Sequence, residues 1–287
     1  MTKVAPRKLC VVIPPCRARS AWLEAITLNA TLEGWQVEGG LGSPIIADHI
    51  ATTFSFLESF DAAISSGAAL CDIVVLIGEP ELDEHNSELG DVAYVSRCYL
   101  SALQAQNVVR HKLPTEPGRI VRIVPGLEVA SPAVATTSSA RSKAFNKGIS
   151  LLTSLGKATW LPELFNYDVK CVDLARSGQP FDITGKPRFL ISGPYVTMPK
   201  GFWQARIMLG FDDGASRSRF RIDWGEIESY QSQEFYPGQP GFFEITMSHH
   251  WVDAAPAEVR LVQLEGVFDG HVTFKGAEIT ARDTPSL

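Results

Sequence analysis

The chain has 287 residues, of which 45% are hydrophobic and 20% charged, and its net charge is −6. That length holds one large domain or two ordinary ones with a core each, and the composition excludes wholesale disorder. The charge is spread over both halves with no basic stripe, which argues against nucleic-acid binding. No apolar run reaches membrane-crossing length, so no membrane insertion is expected.

In chain order, residues 9–13 form an apolar strand-like run, and 21–34 carry Trp22, Leu23, Ile26, Leu28 and Leu32 at helical spacing before Gly34. A second helical stretch is read over 54–64, and the aliphatic run 72–77 has the character of a parallel strand covered on both faces. A long helix is expected over 91–112, a strand over 119–124, a helix over 138–155 and a strand over 169–174. Alternation of this kind predicts an α/β doubly wound parallel sheet, Rossmann-like, over residues 1–190.

Near Ser192 to Pro194 the pattern changes. Trp203, Ala205, Ile207, Leu209 and Phe211 alternate with other residues, as in a half-buried strand. Further strands are expected over 242–247, 258–264 and 271–279, with a hairpin turn at Asp212-Asp213-Gly214. Residues 191–287 therefore predict an all-β antiparallel sandwich, jelly-roll-like.

The five cysteines, Cys10, Cys16, Cys71, Cys98 and Cys171, are scattered without a Cys-x-x-Cys pair. Buried reduced thiols are expected. Residues 1–8 lack the apolar core of a leader, and a cytoplasmic protein is expected. No metal site is expected: His249 and His250 are adjacent in a strand and point to opposite faces.

The first domain resembles the short-chain dehydrogenase/reductase family in the order of its pieces. Residues 8–13 and 20–37 look like the first strand, turn and helix; 72–76 like the fourth strand; 118–121 like the fifth; 138–148 like the active-site helix; 183–191 like the approach to the last strand. The resemblance implies an NAD(P) turn rich in glycine. That turn here holds Pro14, Pro15, Arg17 and Ser20, with no glycine and two prolines lacking N–H donors. The family's catalytic tyrosine and lysine positions hold Ser139 and Lys143. A serine hydroxyl cannot replace the phenol as acid and base. The family also implies a homodimer through the helices around 91–112 and 138–155, the alternative being that both helices only cover the sheet.

Residues 192–203 resemble the opening of a β-sandwich attached to bacterial glycosyltransferases and polysaccharide-biosynthesis proteins, similar to carbohydrate-binding modules. Sugar binding needs exposed aromatic faces beside polar partners. Tyr230, Tyr236 and Trp251 are the candidates because they lie in turn-rich or polar surroundings, whereas Trp203 is expected in the core.

The expected function is a non-catalytic, dehydrogenase-like scaffold carrying a glycan-binding sandwich, with no cofactor, in bacterial polysaccharide assembly. Its partners would be a glycan or a polysaccharide-biosynthesis protein. One alternative is an NAD(P)-dependent oxidoreductase with an atypical site. Another is a glycan-modifying enzyme with a site between the domains on residues that the sequence does not place; the carboxylates Glu79, Glu81, Asp83 and Glu84 cluster after the fourth strand, where α/β sites form, but read more readily as a solvated acidic loop.

Overall fold

The computed structural model describes residues 8–38, 53–82, 89–133, 138–153, 156–170 and 172–282. They fall into two compact units: Met1–Leu82 with Arg97–Ser138, and Asp83–Ser96 with Ser139–Leu287. The division differs from a boundary at 190, because strands from residue 157 onward already pair within the second unit.

The first unit is built on a five-stranded parallel sheet of β1 (Lys8–Val12), β2 (Gln36–Glu38), β3 (Thr53–Leu57), β4 (Ile73–Ile77) and β5 (Val109–Lys112), in the order β2-β3-β1-β4-β5. The aliphatic runs of β1 and β4 lie at its centre and are buried, as expected of a sheet covered on both faces. The strand order is a correction. A dinucleotide-binding sheet runs 3-2-1-4-5, with the second strand beside the first; here the third strand takes that place.

Other expected elements shift for local reasons. The helix α1 (Arg19–Leu32) forms as read and stops before Gly34, at φ 80°. The stretch read as helical over 54–64 is β3 followed by the short α2 (Phe60–Ser65), started by the Ser59 hydroxyl accepting from the Ala62 amide. The helix α3 (Leu89–Gln104) ends well before Lys112; Asn107, at φ 59°, turns the chain into β5. The expected fifth strand is instead a two-stranded antiparallel hairpin, β6 (Ile120–Val124) with β7 (Leu127–Ala130), closed at Pro125-Gly126.

The second unit contains the helices α4 (Ala140–Gly148), α5 (Ser150–Thr153) and α6 (Val172–Arg176), and a sandwich of two antiparallel sheets. α6 occupies the second half of the stretch read as a strand over 169–174. One sheet contains β8 (Lys157–Trp160), β10 (Phe181–Asp182), β13 (Gly201–Phe211), β16 (Gly241–Trp251) and β18 (His271–Arg282). The other, six-stranded, contains β9 (Asn166–Tyr167), β11 (Arg188–Ser192), β12 (Pro194–Met198), β14 (Phe220–Glu226), β15 (Ser229–Phe235) and β17 (Ala255–Gln263). The expected sandwich forms, and it takes strands from both sides of residue 190.

Period-two alternation fills the space between the sheets. Ala205, Ile207 and Leu209 from β13 face Ile222 and Trp224 from β14 and Val259 and Leu261 from β17, all buried. Trp224 meets Trp160 edge-on at 5.5 Å and Trp251 at 5.0 Å. Trp203 is buried as expected, its indole N–H donating to the Pro199 carbonyl at 2.9 Å.

Asp212-Asp213-Gly214 is not a hairpin turn. It carries the chain from β13 in one sheet to β14 in the other. The Asp212 carboxylate accepts from the Ala215 and His271 amides, each at 2.8 Å. A side chain on Gly214 would lie 1.9 Å from the Asp269 carbonyl oxygen, so only glycine fits this crossing.

His249 and His250 do point to opposite faces. His250 stacks on Phe202 at 4.1 Å, while His249 is buried against Trp251 at 4.5 Å. Neither ring nitrogen of His249 has a hydrogen-bond partner among the described residues. Burial pushes its pKa below 6.5, although Glu226 Oε1 lies 3.9 Å from Nε2 and opposes the shift. The unfolded chain therefore takes up a proton that the fold excludes, and stability should fall as pH drops below about 6.5 toward the lowered native value. Urea unfolding at a series of pH values should show this slope, and His249→Leu should flatten it. An unchanged slope in the variant would assign the effect to other groups.

Candidate functional site

The face of the six-stranded sheet turned away from Trp224 carries a polar and aromatic cluster. Alternation along β17 buries Ala257, Val259 and Leu261 between the sheets and sends Glu258 and Arg260 to this outer face. β14 sends Arg221 and Asp223 there by the same rule, and the register sets Asp223 opposite Arg260 and Gly225 opposite Glu258. Across β14 from Glu258, β15 places Tyr230 opposite Gly225.

Gly225 is what lets Tyr230 reach over its strand. A Cβ there would stand 2.1 Å from the Ser229 oxygen and 3.0 Å from the Tyr230 Cα. With no side chain in the way, the Tyr230 hydroxyl donates to Glu258 Oε2 at 2.5 Å. From the other side, the Tyr195 hydroxyl donates to Oε1 at 2.6 Å. Tyr195 sits in an irregularity of the β12–β17 pairing with φ 67°, a left-handed conformation that costs a non-glycine residue free energy and persists where its surroundings hold it.

Arg260 completes the arrangement. One terminal nitrogen lies 2.6 Å from Glu258 Oε2, and the guanidinium carbon stands 4.1 Å from the Tyr230 ring centre and 5.8 Å from that of Phe189. Beside it, Arg221 meets both oxygens of Asp223, at 2.9 and 3.2 Å. Phe189, 50% exposed, borders the cluster.

The groups of this cluster are engaged with one another. The Glu258 carboxylate, 2% exposed, accepts from two phenols and one guanidinium, which leaves it poorly placed as a nucleophile or base. Burial and the hydrogen bond to Glu258 push the Tyr195 phenol up to about 12 and raise Tyr230 as well, so neither is a ready proton donor near neutrality. Glu258 offsets Arg260, and Asp223 offsets Arg221. The cluster is locally neutral, with guanidinium N–H groups, phenol oxygens and ring surfaces held in fixed positions.

Of the three aromatic candidates, Tyr230 belongs to this cluster. Tyr236 follows β15 and is 58% exposed. Trp251 is a correction. It shares the inward parity of Met247 and His249 along β16 and is fully buried against Trp224. Tyr195, Phe189, Glu258 and Arg260 were absent from the sequence candidates. Their signal is two charges at alternate positions in the mostly apolar β17.

The dehydrogenase positions hold other roles. Ser139 caps α4, its hydroxyl accepting from the Ser142 amide at 3.1 Å, and Lys143 is exposed on that helix. Both belong to the second unit, not to the parallel sheet. In the turn after β1, Pro14 is buried, Pro15 half-buried and Ser20 exposed. The Arg17 amide donates to the Glu79 carbonyl at 2.8 Å and the Arg19 amide to the Cys16 carbonyl at 3.0 Å. The two prolines carry no N–H, and those two amides are engaged inside the protein.

The helices assigned to a dimer interface bury their apolar residues within the chain: Val92, Val95 and Tyr99 in α3, Ala144 and Phe145 in α4. Glu79 lies 3.7 Å from Arg17, whereas Asp83 and Glu84 fall outside the described residues. Cys10, Cys16 and Cys98 are buried thiols outside any disulfide, as expected, but Cys71 is exposed; Cys171 is outside the described residues. Among the described residues no group of three His, Cys, Asp or Glu could hold a metal, and no helix is long and apolar enough to cross a membrane.

No family model and no curated protein sequence matches the chain. Among solved structures it is similar to TmCBM61 in complex with β-1,4-galactotriose, at 10% identity and a TM-score of 0.29, over 36% of this chain and 70% of that one. It is also similar to the xylan-binding module CBM15, at 14% identity and a TM-score of 0.25, over 36% of this chain and 77% of that one. A third similar structure is the CBM22-1 xylan-binding domain of Xyn10C from Paenibacillus barcinonensis, at 9% identity and a TM-score of 0.27, over 45% and 87%.

Proposed function

We propose that the outer face of the six-stranded sheet binds a neutral glycan, and that the protein acts by binding rather than by catalysis. The observation that carries this reading is Arg260, held by Glu258 and lying over the ring of Tyr230. A sugar hydroxyl both donates and accepts, so it suits a fixed guanidinium beside a phenol oxygen. Its C–H faces suit the exposed rim formed by Phe189. The paired charges leave little net field to attract an ion, which favours a neutral ligand over a charged one.

In the same reading the protein serves bacterial polysaccharide assembly, and the parallel-sheet unit is a scaffold without a cofactor. The engaged donors after β1 and the capping role of Ser139 support that part. Neither residue favours the oxidoreductase alternative.

Electrophoresis of the full chain through gels containing neutral β-1,4-linked polysaccharides tests the proposal. The wild type should be retarded in at least one gel, and Tyr230→Ala should weaken the retardation constant about tenfold, the range expected when a stacked or hydrogen-bonded contact is lost. Unaltered mobility of the wild type in every gel, or full retardation of Tyr230→Ala, would overturn it.

A further inference from the structure

The first unit holds a second, chemically different cleft. It has a volume of about 640 Å³ and is lined by β5, the start of β6 and the connection between them. Arg110, Lys112, Arg119 and Arg122 all contribute to its wall, in a chain whose net charge is −6. All four fall between residues 110 and 122, on β5, on the start of the hairpin and on the connection between them. Glu116 lies 4.0 Å from Arg119 and Glu128 2.7 Å from Arg122, so the acidic groups offset two of the four.

The placement of the charges restricts the ligand. Arg110 and Lys112 occupy alternate positions of one strand, about 7 Å apart along the backbone. The cations therefore form a spaced array, not one dense pocket. The backbone amides that could make a phosphate nest are engaged elsewhere: Leu113 donates to the Ile77 carbonyl, Gly118 to the Ser131 carbonyl and Arg119 to the Ser131 hydroxyl. No helix N-terminus is among the lining residues. Ile120, 60% exposed, gives the wall an apolar surface between its neighbouring cations. His111 also lines the cleft, and its Nε2, shielded from solvent, has no hydrogen-bond partner among the described residues.

We infer that this cleft binds an acidic oligosaccharide, whose carboxylates are spaced along a chain and whose sugar rings present C–H faces to Ile120. Spaced carboxylates match side-chain cations on alternate strand positions. The volume is that of a small-molecule site. This site is separate in residues and in ligand charge from the neutral face of the sandwich, and neither depends on the other.

Calorimetric titration of the full chain with an oligogalacturonate, its neutral methyl ester and inorganic pyrophosphate tests the inference. The oligogalacturonate should bind, the ester should not, and affinity should fall steeply as salt is raised from about 0.05 to 0.5 M. Lys112→Gln with Arg119→Gln, both at exposed positions, should weaken binding at least about tenfold, while Tyr230→Ala leaves it unchanged. Circular dichroism checks that the double variant is folded. Three results would overturn the inference: no binding by the wild type, binding lost in Tyr230→Ala but kept in the double variant, or pyrophosphate binding as tightly and displacing the saccharide. The last would assign the cleft to a phosphorylated ligand.

Discussion

Glu258→Ala should destabilise the second unit by about 3–5 kcal/mol, the range for removing one partner of a buried ion pair, and should abolish glycan retention. The carboxylate joins Tyr195 from β12, Tyr230 from β15 and Arg260 from its own strand. Without it, two phenols lose their acceptor and a partly buried guanidinium loses its counter-charge. Glu258→Gln preserves shape but removes the charge, and should cost about 1–3 kcal/mol. Urea unfolding of the three proteins measures both values. A Glu258→Ala protein of unchanged stability would mean that the tyrosines and arginine are held by packing alone.

Trp224→Ala should cost a similar amount for a different reason. Trp224 is fully buried and bridges the sheets, touching Trp160 on β8 and Trp251 on β16. Truncation leaves a cavity between layers that cannot close fully, at about 3–5 kcal/mol. Its indole N–H, like that of Trp251, has no hydrogen-bond partner among the described residues. Trp224→Phe removes that unpaired donor along with some volume, so it should be clearly milder than the alanine variant. Equal losses from the two substitutions, measured by thermal and urea unfolding, would show that the indole N–H is paired in solution.

What was legible in the sequence follows from how strongly each side chain is tied to one face. The alternation from Trp203 to Phe211 identified β13, and the aliphatic runs of β1 and β4 identified buried parallel strands. Apolar patterning could not identify β5, whose sequence is Val-Arg-His-Lys. It is an edge strand, and its half-exposed position imposes no apolar pattern. The hairpin of β6 and β7 takes the place of the expected fifth strand, and Pro125-Gly126 between two short apolar runs is the sequence mark of its turn. Gly126 takes φ 86°, a conformation that glycine adopts readily in turns.

The order of strands in the parallel sheet was not legible at all, because local pattern gives strands and not their neighbours. The family resemblance filled that gap with a topology that the sheet does not have. Polar neighbours misplaced Trp251: His249 and His250 suggested an exposed stretch, but parity along β16 sends residue 251 inward with Met247 and His249. The same parity reveals the cluster around Glu258. Glu258 and Arg260 interrupt an apolar strand at alternate positions, and a charge that recurs with period two marks a face. What the sequence could not supply is the partners from β12 and β15, which come from far along the chain and meet only through the register.

The most direct measurement is a nuclear magnetic resonance titration of the full chain, with tyrosine and tryptophan rings labelled, using a neutral oligosaccharide from whichever polysaccharide retards it. Shifts at Tyr195 and Tyr230, with Trp224 and Trp251 unmoved, are the result expected of binding on the outer face of the six-stranded sheet. Saturable binding that leaves Tyr195 and Tyr230 unperturbed would contradict it, because the ligand would then occupy another surface.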